Sequence, residues 1–239
     1  MNILPKSTNC PSQYLLTFSL SILISVFGSS TALAETFVVN STIDSGPGSF
    51  RAAISLANAT PEEDTIVFDR TVFSSPKTIT LTTGEVIITA PVEIDGPGID
   101  QLTISGNSQS RVLFLRNTAS VRLSNLTIGN GRAPSFTQNG FGGYAGGIYI
   151  DGGSLVLSRV TVDNCIAEQS AGIYNGQGQL RIVESTISNN QAIDGRNDGS
   201  YGGGIFNDGD LIIESSKIVG NIARGGNEPT GGGLTGSAA

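Results

Sequence analysis

The sequence predicts an all-β fold, a parallel β-helix whose short strands wind into stacked coils behind a short N-terminal capping helix. Three observations carry this. The first is a motif that occurs three times between Gly146 and Asn221: Gly146-Gly147-Ile148-Tyr149-Ile150, Ala171-Gly172-Ile173-Tyr174-Asn175 and Gly203-Gly204-Ile205-Phe206-Asn207 each lead into an aliphatic run. Set in register, the columns are Ile148/Ile173/Ile205, Leu155/Leu180/Leu211, Leu157/Ile182/Ile213, Val160/Ser185/Ser216 and Val162/Ile187/Ile218. The second is spacing. The closing aliphatic of successive copies falls at Ile104, Ile128, Val162, Ile187 and Ile218, at intervals of 24, 34, 25 and 31 residues, a constant core with insertions that marks a repeat architecture. The third is period: within each copy β-branched and other aliphatic residues alternate with polar ones, the pattern of a strand with one buried face.

A single copy buries too little apolar surface to offset the backbone entropy lost on ordering it. Stacking resolves this. Each strand then pairs with its counterpart about 4.8 Å away, and equivalent side chains close over one another.

Residues 1–34 read as a secretory signal. Lys6 supplies the positive region, Tyr14 to Phe27 the apolar core, and Ala32-Leu33-Ala34 the small-residue cleavage site before Glu35. The alternative, a retained membrane anchor, asks for a run of about 20 apolar residues, and this one is shorter. Cys10 precedes the apolar core and is ill placed for a lipid anchor. The expected location is secreted or cell surface, with no membrane insertion once the signal is removed. Cleavage leaves 12 basic against 20 acidic residues, a net charge of −8. Nucleic acid and anionic membranes are poor candidates as partners on this ground, because the dominant electrostatic term repels them. Cys165 is then the only thiol, so no internal disulfide forms and a buried position near the end of its strand is expected.

Residues 35–75 form the predicted cap. Thr36 to Asn40 reads as a strand and Asp44-Ser45-Gly46-Pro47-Gly48 as a turn. Ser49 caps a short helix with Phe50, Ala53, Ile54 and Ala57 on one face, Pro61 stops it, and Thr65 to Asp69 returns to a strand. A helical lid suits this place, since the first coil of a solenoid otherwise exposes an apolar end and unpaired strand edges.

Val39-Asn40, Asp44-Ser45-Gly46-Pro47-Gly48-Ser49-Phe50-Arg51-Ala52-Ala53-Ile54, Ala57-Asn58-Ala59 and Asp64-Thr65-Ile66-Val67-Phe68 together resemble the N-terminal segment of secreted bacterial proteins of the CSLREA type. In that family the segment precedes a right-handed β-helix of the pectin-lyase-like superfamily. The resemblance covers roughly residues 36 to 234, and it implies the right-handed winding. Where the family label has a Cys before the Ser-Phe-Arg core, this chain has none, so no cysteine role transfers.

The β-helix itself is expected over residues 76–239. Strands come close together from Thr78 to Leu115, with Gly84, Gly96, Gly98 and Gly106 at the turns. Insertions follow at Gly131 to Ala145, Ile166 to Ser170, Gln191 to Gly202 and Ile222 to Gly231, leaving the coil at one point and gathering on one side. At Gly232-Gly233-Leu234 a further coil would begin and no capping motif follows, which points to a truncated copy of a longer protein or to an open end that self-associates or is covered by another molecule.

Without a histidine, Ser-His-Asp and Cys-His catalysis are excluded, and phosphate-cradling glycine loops are absent. Polysaccharide lyases of this fold would use acidic residues to hold calcium and an Arg as base. Arg159 and Glu184 align in adjacent coils, in one column with Asn125 and Ser215, and the structural reading is an ion pair along the ladder. Asp194, Asp198, Asp208 and Asp210 offer oxygen ligands for calcium but match no calcium loop, and turn chemistry is the favoured account of them. Thr127, Thr161, Thr186 and Lys217 form an outward column, a weak basis for ice binding. Tyr149, Tyr174 and Phe206 follow the inward Ile column and offer an aromatic strip for sugar rings; the alternative is packing against the insertions or into the core. The reading that follows is an adhesion or glycan-binding module whose partner is a polysaccharide or surface glycan, with no catalytic residues and no cofactor beyond calcium. The rivals are a calcium-dependent polysaccharide lyase or hydrolase, and an inactive fragment of a longer surface protein.

Overall fold

The computed structural model describes residues 33–116, 119–135, 143–193 and 201–224. Every strand pairing among them is parallel, and the chain winds as a right-handed β-helix with one short helix. Four faces recur in the order of the chain. The first carries Val86–Ile88, Leu113–Arg116, Ile148–Asp151, Ile173–Gly176 and Ile205–Asn207. The second carries Thr36–Val39, Asp64–Phe68, Val92–Asp95, the leading halves of Ser120–Gly129 and Ser154–Asp163, then Gln179–Val183 and Asp210–Glu214. The third carries Lys77–Thr80, Leu102–Ser105, the trailing halves of the same two long strands, Thr186–Ser188 and Lys217–Val219. The fourth appears only in the later coils, as Ile166–Ala167, Gln191–Ile193 and Ile222–Arg224.

The predicted columns are those of the structure. Leu155, Leu180 and Leu211 are paired rung on rung, as are Leu157, Ile182 and Ile213, and Val162, Ile187 and Ile218. These chains fill one continuous apolar core that runs from the cap through Ile205. The repeated glycines have a packing cause. A Cβ on Gly147 would lie 2.4 Å from the Gly172 carbonyl oxygen, and one on Gly172 would lie 2.3 Å from that of Gly204. Successive coils therefore touch backbone to backbone where the first face begins.

The expected insertion boundaries need correction, and one inward column has a polar role. Ile166–Ala167, Gln191–Ile193 and Ile222–Arg224 are not the first residues of insertions but rungs of the fourth face, so each insertion leaves the coil two or three residues later than predicted. Ser185 and Ser216, placed in an inward column with Val160, do point in, yet they serve the backbone: Ser185 Oγ accepts from the Val160 N–H and Ser216 Oγ accepts from the Ser185 N–H, each at 3.0 Å.

Those serines compensate for a bend. Asn125, Arg159, Glu184 and Ser215 all have left-handed backbone, with φ of 56°, 53°, 48° and 46°. This column turns the chain from the second face to the third and interrupts the ladder, and the next inward serine replaces the lost acceptor. The next corner repeats the device. Asn130, Asn164 and Asn189 are left-handed, and behind them Asn190 and Asn221 form an internal amide ladder below which Cys165 sits.

The cap is built as expected and held by a clamp. Ser49 accepts from the Ala52 N–H at 3.2 Å and donates to the Gly46 carbonyl, and Phe50, Ala53, Ile54 and Ala57 are buried. Phe50 stacks on Phe68, whose edge meets Phe73. Asp44 accepts from the backbone N–H and hydroxyl groups of both Thr82 and Thr83 and pairs with Arg51, which also donates to the Gly84 and Glu85 carbonyls. Asn58 closes the other end of the helix by donating to Ile87 and accepting from the Thr89 N–H.

Candidate functional site

Alternation on the first face turns one residue of each strand outward, and register brings these residues into a single file: Ile87, Phe114, Tyr149, Tyr174 and Phe206. Four rungs in succession are aromatic. Tyr149, Tyr174 and Phe206 were legible in the repeat; Phe114 was not, because its strand lacks the Gly-Gly leader. Two further tyrosines come from the segments that lead into the face. Tyr144 lies 4.7 Å from Tyr174 and Tyr201 5.8 Å from Phe206, measured between ring centroids.

Ring orientation decides what the file can bind. Tyr149 and Tyr174 are stacked at 4.8 Å and 26°, Tyr174 and Phe206 at 5.2 Å and 7°. Their planes are spent on one another along the solenoid axis. Tyr149, although it points out of the coil, is only 6% exposed, covered by Tyr144 and by the rings on either side. The accessible aromatic surface lies at the far end of the file, where Tyr201 is 50% exposed and meets the half-buried Phe206 at 59°.

Arg111 supports the file from one side. Its guanidinium is 4.8 Å from the Tyr149 ring centroid and 5.2 Å from that of Phe114, and it is buried. It donates to the Ala145 and Tyr144 carbonyls at 2.9 Å and pairs with Glu85 at 2.7 Å. A buried charge with this many partners fixes the segment that carries Tyr144. Burial, more than any other influence, raises the pKa values of Tyr144, Tyr149 and Tyr174. Tyr149 is pushed up to about 12, with Tyr174 and Asp151 adding to the rise and Arg111 opposing it. Tyr174 is raised by burial, by Tyr144 and by the carboxylates of Asp208 and Asp151. The phenols of Tyr144, Tyr149 and Tyr174 are therefore neutral donors, and two carboxylates, Asp151 and Asp208, rim the file.

Asp208 sits in the exposed turn that follows Phe206–Asn207 and Asp210 opens the next strand, and their N–H groups donate to the Asn175 and Gly178 carbonyls of the coil below. Asp194 and Asp198 lie outside the described residues. Among the described residues no three acidic, Cys or His side chains are grouped to hold a metal ion. Arg159 pairs with Glu184 at 3.6 Å, both half-exposed, and donates to Asn125 at 2.8 Å, which in turn donates to Asp95. This chain of polar contacts follows the left-handed corner. The outward Thr column is longer than the repeat suggested: Thr78, Thr103, Thr127, Thr161 and Thr186 occupy five consecutive rungs before Lys217. Thr127 in that column spends its hydroxyl on the Ile99 carbonyl.

Neither any protein-family profile nor any curated protein matches the chain.

Proposed function

We propose that this chain is an extracellular β-helix of the CSLREA type that binds a neutral glycan at the open end of its aromatic file. The observation that carries the reading is the angled pair of Tyr201 and Phe206, 5.8 Å apart at 59°, with Tyr201 half exposed. Pyranose rings present axial C–H groups that pack on an aromatic face, and their hydroxyls need acceptors beside it. Asp208 in the following turn supplies an acceptor, and the neutral phenol of Tyr174 is a donor. The excess of acidic residues disfavours uronic-acid polymers and favours uncharged ones. The export signal and the cap motif support an extracellular setting. Adhesion follows from glycan binding on a rigid rod whose ligand end and cap lie apart along one axis.

The test is affinity electrophoresis and a glycan array with neutral polysaccharides. Retention of the parent chain, lost in Tyr201→Ala and Phe206→Ala but kept in Arg159→Ala, is the expected result. Failure to bind any neutral glycan, or binding unaffected by both aromatic substitutions, overturns the reading.

A further inference from the structure

The corner between the second and third faces is not built alike along the coil. In the later coils a single left-handed residue makes it, at Asn125, Arg159, Glu184 and Ser215. In the two coils nearest the cap it takes eight residues, 69–76, and six, 96–101. Both segments are held in place. Asp69 accepts from the N–H and hydroxyl of Thr71, the Phe73 N–H donates to the Asp69 carbonyl, and the Gly98 carbonyl accepts from the Gln101 and Leu102 N–H groups. The second segment is also pinned to the next coil, where the Ser124 and Asn125 carbonyls accept from the Gly96 and Gly98 N–H groups. A cleft of about 680 Å³ lies here, with Val67, Phe73 and Pro97 among its apolar walls. That volume is in the range of pockets that hold small ligands.

Three polar groups of the cleft stand without their complement. Arg51, Arg111, Arg122, Arg159 and Arg181 each pair with a carboxylate, whereas the exposed Arg70 guanidinium has neither a hydrogen bond nor an ion pair among the described residues. Asp95 accepts from Ser124 and Asn125 through Oδ1, but no cation pairs with it among the described residues. Gln101 Oε1 is buried at the wall and has no donor. A cleft that holds a cation and a carboxylate unpaired with one another suits a ligand that carries both charges, and the orphaned acceptor calls for an N–H or O–H.

We propose that this cleft binds a short peptide with free ends. Its terminal carboxylate takes the Arg70 guanidinium in a two-point contact, its terminal ammonium meets Asp95, and an internal N–H donates to Gln101 after a small turn of the amide. An aliphatic side chain of the peptide packs on Val67, Phe73 and Pro97. A single amino acid has no peptide N–H for Gln101, and a neutral sugar has no charge for Arg70 or Asp95. The cleft shares no residue with the aromatic file and takes a different class of ligand, so neither assignment depends on the other.

The experiment is isothermal titration calorimetry of the full chain with triglycine and with its N-acetylated and C-amidated forms. Triglycine should bind, and each capped form should bind about tenfold more weakly. Arg70→Gln should weaken triglycine about tenfold and leave the C-amidated peptide unchanged, while Asp95→Asn should do the same with the N-acetylated peptide as the one unaffected. Both variants should keep the circular dichroism spectrum of the parent. This matching of each substitution to one cap is an outcome that a role in folding alone would not produce. Absence of triglycine binding, equal binding of the free and capped peptides, or binding indifferent to both substitutions overturns the inference.

Discussion

The rings of Tyr174 and Phe206 lie 7° from parallel with their centroids 5.2 Å apart, one rung of the solenoid. This contact divides the aromatic file into a buried part that stabilises the coil and a part, at Phe206 and Tyr201, that is more exposed. Tyr174 is stacked on both sides and also meets Tyr144, so Tyr174→Ala removes three ring contacts and should lower unfolding free energy by about 2 to 3 kcal/mol. Phe206→Ala removes contacts to Tyr174 and Tyr201 near the end of the file and should cost about 1 kcal/mol while abolishing glycan retention. Chemical denaturation and affinity electrophoresis on the two variants separate these effects. Equal stability losses would mean that the file is not graded from buried to open.

Asp44 makes the cap sensitive to acid. Burial alone would raise its pKa, but hydrogen bonds from Thr83, Arg51 and the Thr82 and Thr83 backbone outweigh it and hold the carboxyl at about 2, below its ordinary 3.8. A depressed pKa contributes stability that is fully present above 3.8 and is lost as pH falls through about 2. The shift corresponds to about 2 kcal/mol. Thermal melts of the parent and of Asp44→Ala should differ by at least this amount at pH 7, because the variant also leaves Arg51 without its carboxylate. That gap should narrow steadily from pH 4 to pH 2. A constant gap across the range would show that the clamp does not depend on the charge of Asp44.

The core columns were legible because inward aliphatics recur with their flanking glycines, and Leu155, Leu180 and Leu211 needed only to be set in register. The amphipathic helix was legible for the same reason, with Phe50, Ala53, Ile54 and Ala57 on one face. The fourth face was not. Its strands are two or three residues long, too short to show alternation, and its stacked residues Ala167 and Ala192 are not distinctive in sequence. Tyr144 and Tyr201 escaped because they lie in segments without period. The role of Asp44 escaped too, since its partners are 38 and 39 residues away and only winding brings them together.

Asn190 is fully buried and joins three coils. Its Oδ1 accepts from the Cys165 N–H at 2.9 Å, and its amide nitrogen donates to the Val162 carbonyl at 3.0 Å and to Asn221 at 2.9 Å. Asn190→Ala leaves a buried N–H without an acceptor and should cost about 2 to 3 kcal/mol. Cys165 reports the same opening. Burial pushes its pKa up to about 12, so the thiol is neutral and shielded in the folded chain. Alkylation at pH 8 should be slow in the parent and faster in Asn190→Ala, in proportion to the loss of stability. Rapid alkylation of the parent would contradict the placement of Cys165 inside the coil.

The left-handed corner offers the sharpest test of how the coil is bent. Glu184 has φ of 48° and an exposed ion pair with Arg159. Glu184→Gly and Glu184→Val both delete that ion pair, which contributes at most about 1 kcal/mol at such exposure. They differ in backbone. Glycine adopts the left-handed region without steric cost, whereas a β-branched side chain there is strained by about 1 to 2 kcal/mol or more. Glu184→Gly should therefore stay within about 1 kcal/mol of the parent, and Glu184→Val should fall below it by at least a further 1 kcal/mol or so. Urea denaturation of the two variants reads the difference directly. Equal stabilities would show that the bend between the second and third faces does not require left-handed backbone at Glu184, and the ladder of inward serines would then need another cause.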